Sequence, residues 1–240
     1  MIERADDAQL ATLRAFTFLC SLRPEWSGAL ILACGLGAGS EEFSIASNIA
    51  GAGFLAVDSS PERCRATLRS GACDFVVNTV DEALRVLKNE IRKHKPVSVA
   101  LSMDETAALD ELIGRGVQPE LFAAFGESAK NAEDAALRFS VLGAAVARFD
   151  HSQGIGIEVD ANVQEFTSQR GLSSVVFLFL NGEQQRSRES QMLQFIPEDD
   201  PRRRWLAAAP RFFHRERPHR RLVYLTSTER DQLGTQSIAE

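Results

Sequence analysis

Between residues 28 and 125 the sequence alternates short apolar runs with amphipathic segments, which restricts the fold more than any other feature. Five apolar runs are too short for helices and end at Gly, Ser, Asp or Asn: Ala29–Cys34, Phe54–Val57, Phe75–Val77, Val97–Leu101 and Leu121–Phe125. Between them lie segments with helical periodicity: Glu41–Ile49, Pro61–Leu68, Val80–Lys93 and Glu105–Ile113. Strands and helices alternating at this spacing form βαβ units. The sequence therefore predicts an α/β protein with a Rossmann-like parallel sheet and helices on both faces.

The sequence after residue 125 predicts a C-terminal α/β extension. Ala129–Arg148 is rich in Ala and Leu and predicts one long helix. Ser173–Leu180 is the most apolar run of the chain and predicts a buried strand, and Arg221–Thr226 predicts another strand. Asp200 followed by Pro201 predicts the start of a short helix.

The predicted organisation has three parts. Residues 1–27 contain a leading helix over Asp6–Cys20, residues 28–125 form a Rossmann-like domain, and residues 126–240 form the extension. We expect the extension to mediate self-association, which makes the chain a homo-oligomer.

Composition excludes several classes of protein. With 240 residues and 44% hydrophobic content, the chain is neither a disulfide-stapled mini-protein nor a disordered one. It has no apolar run of about 18 residues, and its acidic start lacks the apolar segment of a secretory signal, so we expect no membrane association. Cys20, Cys34, Cys64 and Cys73 show no CxxC spacing, which predicts a cytoplasmic protein without a metal site. The histidines show no catalytic spacing, so we assign no catalytic residue.

The net charge is −6, yet arginines are concentrated in one stretch, which we call the arginine block. Its members are Arg202, Arg203, Arg204, Arg211, Arg215, Arg217, Arg220 and Arg221. Guanidinium groups bind carboxylates and phosphates, and the aromatic residues among them would allow stacking on a base. The acidic remainder of the chain opposes the approach of phosphate. We therefore expect a solvated or interface helix paired with acids such as Glu198–Asp200, and no nucleic-acid partner.

A glycine-rich turn follows the first predicted strand and precedes a helix. Its residues are Gly35, Leu36, Gly37, Ala38, Gly39 and Ser40. Glycines let backbone N–H groups approach a ligand closely, and the following helix N-terminus attracts anions. Asp58 ends the second strand, where a nucleotide-binding fold places the acid that binds ribose hydroxyls. This order predicts a nucleotide site made by the turn and Asp58.

A purely structural interpretation of the turn stays open. The glycine pattern is GxGxG rather than GxGxxG, because position 40 is serine. Glu41 and Glu42 occupy the first helical turn, where they stabilise the helix dipole and repel a diphosphate. In this interpretation Ser40 is the N-cap of an ordinary helix.

Three stretches follow one another in residues 29–125: Gly35–Ser40, then Leu68–Asp74 running into Val80–Leu84, then Lys95–Ala100 with Glu111–Glu120. In this order they resemble the central nucleotide-binding domain of the urocanase (urocanate hydratase) family. The second is similar to the family's Thr-Gly-Tyr-Cys-Asp followed by Asp-Glu-Ala-Leu. The third is similar to its Leu-x-x-Arg-Gly-Val-x-Pro-Asp passage.

The resemblance implies a function. The family holds NAD tightly and uses it as an electrophile to hydrate urocanate, a hydro-lyase reaction of histidine breakdown, and it works as a homodimer. Gly35, Gly37 and Asp58 stand where the family's NAD contacts lie. NAD is therefore the implied cofactor.

The departures from the family lie at the loop ends of the first, fourth and fifth strands. Glu41 replaces a glycine, Met103–Asp104 replaces Gly-Asn, and Ala124–Glu127 replaces Asp-Gln-Thr-Ser. A urocanase is also more than twice this long. We therefore expect a urocanase-like protein that binds NAD or another nucleotide and lacks urocanate hydratase activity on its own.

Two alternatives remain open. The glycine turn and Ala56–Glu62 also look like the S-adenosylmethionine loop of methyltransferases, although Ala33 stands where those enzymes usually carry an acid. The other alternative is a non-catalytic binding or assembly domain.

Overall fold

A computed structural model describes residues 7–149 and 157–234. Its strands are β1 Leu30–Cys34, β2 Gly53–Asp58, β3 Phe75–Val77, β4 Val97–Ser102, β5 Leu121–Phe125, β6 Ala145–Phe149, β7 Ser173–Phe179 and β8 His219–Leu225. Its helices are α1 Ala8–Leu22, α2 Ser40–Ala50, α3 Pro61–Ser70, α4 Val80–Ile91, α5 Glu105–Gly114, α6 Ser128–Asn131, α7 Glu133–Val141, α8 Ile157–Gln169, α9 Gly182–Phe195, α10 Arg202–Phe213 and α11 Ser227–Gln232.

Strands β1 to β6 form one sheet in the order β3-β4-β2-β1-β5-β6, and every neighbouring pair is parallel. β1 lies inside the sheet, where Ile31 stands opposite Phe54 on one side and Leu121 on the other. β2 and β5 are buried along their whole length, as strands covered on both faces must be. The structure confirms the predicted α/β class, and the strands expected from the apolar runs lie within one residue of their predicted bounds.

Helices cover both faces of this sheet. Alternate residues of a strand point to opposite faces. Ile31 joins an apolar cluster with Phe43 of α2, whereas Leu32 joins a second cluster with Leu84 of α4 and Phe139 of α7. The sheet therefore separates two hydrophobic cores.

Local capping explains where several helices begin and end. The Ser60 hydroxyl accepts the N–H of Arg63 at the start of α3, next to Pro61 in the first helical position. The Thr79 hydroxyl does the same for Glu82 at the start of α4. Gly71 ends α3 in the left-handed conformation, which glycine adopts without steric cost.

The prediction of one long helix over Ala129–Arg148 is wrong. The segment forms α6, α7 and then β6, which pairs in parallel with β5. Gly143, with φ of +99°, ends the helical path after α7 and turns the chain back toward the sheet. The sheet thus continues beyond residue 125, the predicted end of the Rossmann-like domain. The division into residues 1–27, 28–125 and 126–240 stays a prediction, and residues 1–6, 150–156 and 235–240 lie outside the described residues.

The C-terminal part contains a separate two-stranded antiparallel sheet, β7 with β8. The predicted strand over Ser173–Leu180 is confirmed as β7, but its predicted burial is wrong. Val176, Leu178 and Leu180 are 53%, 49% and 88% exposed, because only the opposite face of β7 is covered. No helix within residues 7–149 or 157–234 is long and apolar enough to cross a membrane.

The arginine block pairs with acids spread along the chain. The ion pairs are Arg202 with Asp200 and Glu229, Arg204 with Glu25, Arg211 with Asp74, Arg220 with Asp7 and Glu216, and Arg221 with Glu189. The expectation of a solvated helix is wrong for Arg202 and for Arg221 of β8, which are 8% and 0% exposed. These two guanidinium groups are structural parts of the interior.

We predict that Glu189→Ala lowers the free energy of unfolding by about 3–5 kcal/mol. Glu189 accepts from Nε of Arg221 at 2.7 Å, and the terminal nitrogens of Arg221 have no hydrogen-bond partner among the described residues. Its removal would leave a buried guanidinium group without a counter-charge. Urea denaturation measures the effect. Glu111→Ala is the control, since it removes an exposed pair with Arg115 and should cost less than about 1 kcal/mol; equal losses in the two variants would contradict the prediction.

Candidate functional site

The glycine-rich turn lies at the point of the sheet where the strand order reverses, between β1 and β5. β1 pairs with β2 on one side and with β5 on the other, and the turn leaves the carboxyl end of β1. Open α/β sheets bind ligands outside such a switch point. The loop after β5, which leads into α6 at Ser128, meets the turn at this position. The turn therefore lies where open α/β sheets place their ligands, and its use as a nucleotide site stays a prediction.

Gly35 packs directly against the start of α6. Its φ is +87°, and a Cβ atom at this position would lie 2.8 Å from both Cβ and Oγ of Ser128 and 2.9 Å from the carbonyl oxygen of Phe125. Only glycine fits there without a shift of the backbone. Ser128 fills the space that the missing side chain of Gly35 leaves open. The predicted contact of Gly35 with a ligand stays a prediction.

Asp58 lies beside the turn and is completely buried. One carboxylate oxygen accepts the backbone N–H of Leu36 at 2.6 Å, and the other accepts the N–H of Ser60 at 2.7 Å. The guanidinium of Arg63 donates Nε to both oxygens, at 2.9 and 3.1 Å, and Nη2 lies 2.8 Å from Oδ1. Both oxygens are thus engaged by internal donors, so a ribose could reach them only if Arg63 moved away.

The outer half of the turn is more open. A Cβ atom at Gly39 would meet no atom within 4 Å, and Ala38 is exposed. Gly39, with φ of +83°, is the N-cap of α2, and no side chain caps this helix. The interpretation of Ser40 as the N-cap is wrong, because Ser40 is the first helical residue and its hydroxyl donates back to the carbonyl of Gly37 at 2.6 Å. An anion could approach here, beside the side chains of Glu41 and Glu42.

Glu105 connects the loops that follow three strands. It begins α5 after β4, and its Oε1 accepts from the hydroxyl of Ser59 at 3.4 Å and from that of Ser128 at 3.2 Å. Ser59 follows β2, and Ser128 follows β5. This bridge crosses the carboxyl edge of the sheet where a nucleotide would lie.

Cys34, at the end of β1, is completely buried, which does not favour a role as nucleophile. Burial, with smaller contributions from the charges of Glu105 and Asp58, raises the pKa of its thiol to about 12. Cys20 and Cys73 are buried too, and their pKa values are also raised to about 12. Within the described ranges no three His, Cys, Asp or Glu side chains are grouped as metal ligands would be.

The family model of the urocanase Rossmann-like domain matches residues 12–128. Residues 12–128 are therefore similar to a urocanase Rossmann-like domain. Among solved structures, the short chain alcohol dehydrogenase (rspB) from E. coli CFT073, complexed with cofactor NADH, is similar at 12% identity over 94% of this chain, with a TM-score of 0.36. The chain spans 61% of the length of that dehydrogenase.

The region that the family model matches runs from within α1 to the first residue of α6. It contains the turn, Asp58 and the loops at which the chain departs from the family. One departure has a structural role of its own: the Asp104 carboxylate accepts the N–H of Ala107 at 2.9 Å and caps α5. Asp104 therefore stabilises the start of α5 whether or not a ligand is bound.

Three residues of the site were missed from the sequence: Arg63, Glu105 and Ser128. A signal for Arg63 existed, because an arginine in the first turn after Pro61 lies within reach of an acid five residues earlier. Ser128 and Glu105 gave no such signal, since they reach the turn only through the packing of distant loops.

We predict that Gly35→Ala destabilises the protein more than Gly39→Ala does. Both residues have positive φ, so each alanine carries a cost of about 1–2 kcal/mol for the left-handed conformation. At Gly35 the new methyl group also meets Ser128 and a backbone carbonyl, which adds about 1–3 kcal/mol of overpacking. Chemical denaturation of both variants measures the difference. Equal stability of the two would show that α6 does not press on the turn.

Proposed function

We propose that this protein keeps the urocanase nucleotide-binding scaffold as a binding and assembly domain, without urocanate hydratase activity of its own. The observation that carries the proposal is the burial and internal hydrogen bonding of the Asp58 carboxylate. Its carboxylate is buried and bound to Leu36, Ser60 and Arg63. The acid that would bind ribose hydroxyls instead holds the turn to the loop after β2.

Two further contacts support the same conclusion. Ser128 occupies the space beside Gly35, and Glu105 ties Ser128 to Ser59 across the carboxyl edge of the sheet. As arranged, these residues do not fit the ribose half of NAD. Cys34 is buried and the pKa of its thiol is raised, so a role for it as a reactive thiolate is not supported.

Nucleotide binding is the second candidate, with NAD as the first ligand to test. It is supported by the open space at Gly39 and by the uncapped start of α2, where backbone N–H groups and the helix dipole favour an anion. Glu41 and Glu42 oppose a diphosphate at this place. S-adenosylmethionine is the alternative ligand on the same scaffold. A cytoplasmic location belongs to the same proposal, supported by four buried free cysteines.

We predict that Arg63→Ala raises nucleotide affinity above that of the wild-type protein, because it frees the carboxylate of Asp58. Calorimetric titration with NAD, NADP and S-adenosylmethionine measures the affinity. The matched control is Arg65→Ala, which removes an exposed arginine from the same helix and leaves Asp58 untouched. Equal affinities in the two variants would mean that Arg63 does not block the ribose position.

The double change Glu41→Gly with Glu42→Ala tests the repulsion at α2. We expect it to raise nucleotide affinity, and unchanged affinity would contradict the electrostatic argument. Hydratase activity is tested separately, by following the near-ultraviolet absorbance of urocanate in the presence of NAD. Loss of absorbance at an enzyme-like rate would make the chain a hydro-lyase and overturn the proposal.

A further inference from the structure

The two outer edges of the β7–β8 sheet differ in how their backbone groups are satisfied. On β8, four side chains bind the groups that point away from β7. The N–H of Leu222 donates to Gln9, and the carbonyls of Leu222, Arg220 and Tyr224 accept from Trp205, Gln185 and Arg202 respectively. The β8 edge is therefore closed within the chain.

The outer edge of β7 has no such cover. Directly opposed residues of an antiparallel pair point their backbone groups in matching directions, both toward or both away from the partner. The backbone N–H and C=O of Leu222 point away from β7, so those of Val176, which lies opposite, point away from β8. The backbone groups of Ser174 and Leu178 also point away from β8, because the direction alternates along the strand. In residues 7–149 and 157–234 no group hydrogen-bonds to the backbone of these three residues on that edge.

The side chains of β7 also suit an interface. Val176 and Leu178 are about half exposed on its outer face, and Ser173–Leu180 contains no charge. Charged residues normally protect edge strands from pairing. β6, at the edge of the main sheet, carries Arg148 in this way, whereas β7 has no equivalent. An uncharged edge strand with open backbone groups is a surface for strand addition.

We propose that β7 pairs in antiparallel fashion with β7 of a second copy of this chain, about a two-fold axis at Val176. Val176 would then exchange backbone hydrogen bonds with its own copy, and Ser174 would do so with Leu178. The result is a continuous four-stranded sheet, β8-β7-β7-β8. β7 lies outside residues 12–128, so this interface is independent of the nucleotide site.

Charge at the two ends of β7 selects a second copy as the occupant. Arg170 precedes the strand and Glu183 follows it, and both are exposed. Arg170 stacks on the ring of Phe166 at 3.7 Å, and neither Arg170 nor Glu183 forms an ion pair within the described part of the chain. A two-fold axis at Val176 places the end of each β7 that follows Arg170 beside the end of the other β7 that precedes Glu183. The strand is therefore complementary to itself, as an isologous interface requires.

Sedimentation equilibrium of the full chain tests this interface. We expect a wild-type dimer, and Val176→Lys should raise the dissociation constant at least tenfold, since two lysines would meet at the axis. Val141→Lys is the control, because Val141 is 80% exposed on α7, away from β7; it should leave the dimer intact. Val176→Pro is a second disrupting variant. It removes an N–H that points outward, so the β7–β8 pairing is retained.

A charge exchange distinguishes this partner from any other. Arg170→Glu and Glu183→Arg should each weaken the dimer by placing like charges together, and the double variant should restore it. A wild-type monomer throughout the micromolar range would overturn the proposal, as would a dimer that survives both changes at Val176. Failure of the double variant to recover the dimer would overturn the antiparallel pairing about Val176. Nucleotide titrations do not enter this result, so the two proposals fail independently.

Discussion

The carboxylate of Asp58 is the interaction on which the candidate site depends. A buried carboxylate without donors is strongly unfavourable, so the fold must supply them. It does so with the N–H of Leu36 in the glycine turn, the N–H of Ser60 in the next loop, and the guanidinium of Arg63. The path of the turn and the position of α3 are therefore fixed by the same two oxygens. A residue type that suits ribose binding here performs a structural role.

This arrangement accounts for the rest of the carboxyl edge. With Leu36 held by Asp58, Gly35 is brought close enough to α6 for Ser128 to fill the place of a side chain. Glu105 then bridges Ser128 to the loop after β2. The order of the strands retains a nucleotide-binding fold, and the loops use the space at the switch point for packing. The arginine block follows the same principle, because hydrogen bonds to Asp200 and Glu229 outweigh burial and raise the pKa of Arg202 above its ordinary value.

The sequence predicted the elements that depend on local pattern. The strands of residues 30–125 are continuous apolar runs bounded by Gly, Ser, Asp or Asn, and the turn and Asp58 come from spacing alone. The errors concern interactions between distant residues. The composition of Ala129–Arg148 favours a helix, but Gly143 and pairing with β5 decide its structure. The apolar run of β7 indicates a strand without showing which face is covered. The partner of Gly35 is 93 residues away, and no local pattern indicates it.

Backbone groups are open both at the start of α2 and at the outer edge of β7, and the electrostatics of these two places differ. At the start of α2 the open groups lie beside Glu41 and Glu42, so an anion that approaches the helix meets two like charges. At the edge of β7 the open groups lie beside uncharged side chains, and opposite charges stand at the two ends of the strand. A strand that approaches β7 therefore meets no repulsion and gains hydrogen bonds together with apolar contact. The charges at these two places therefore favour a protein partner at β7 over an anionic ligand at the turn.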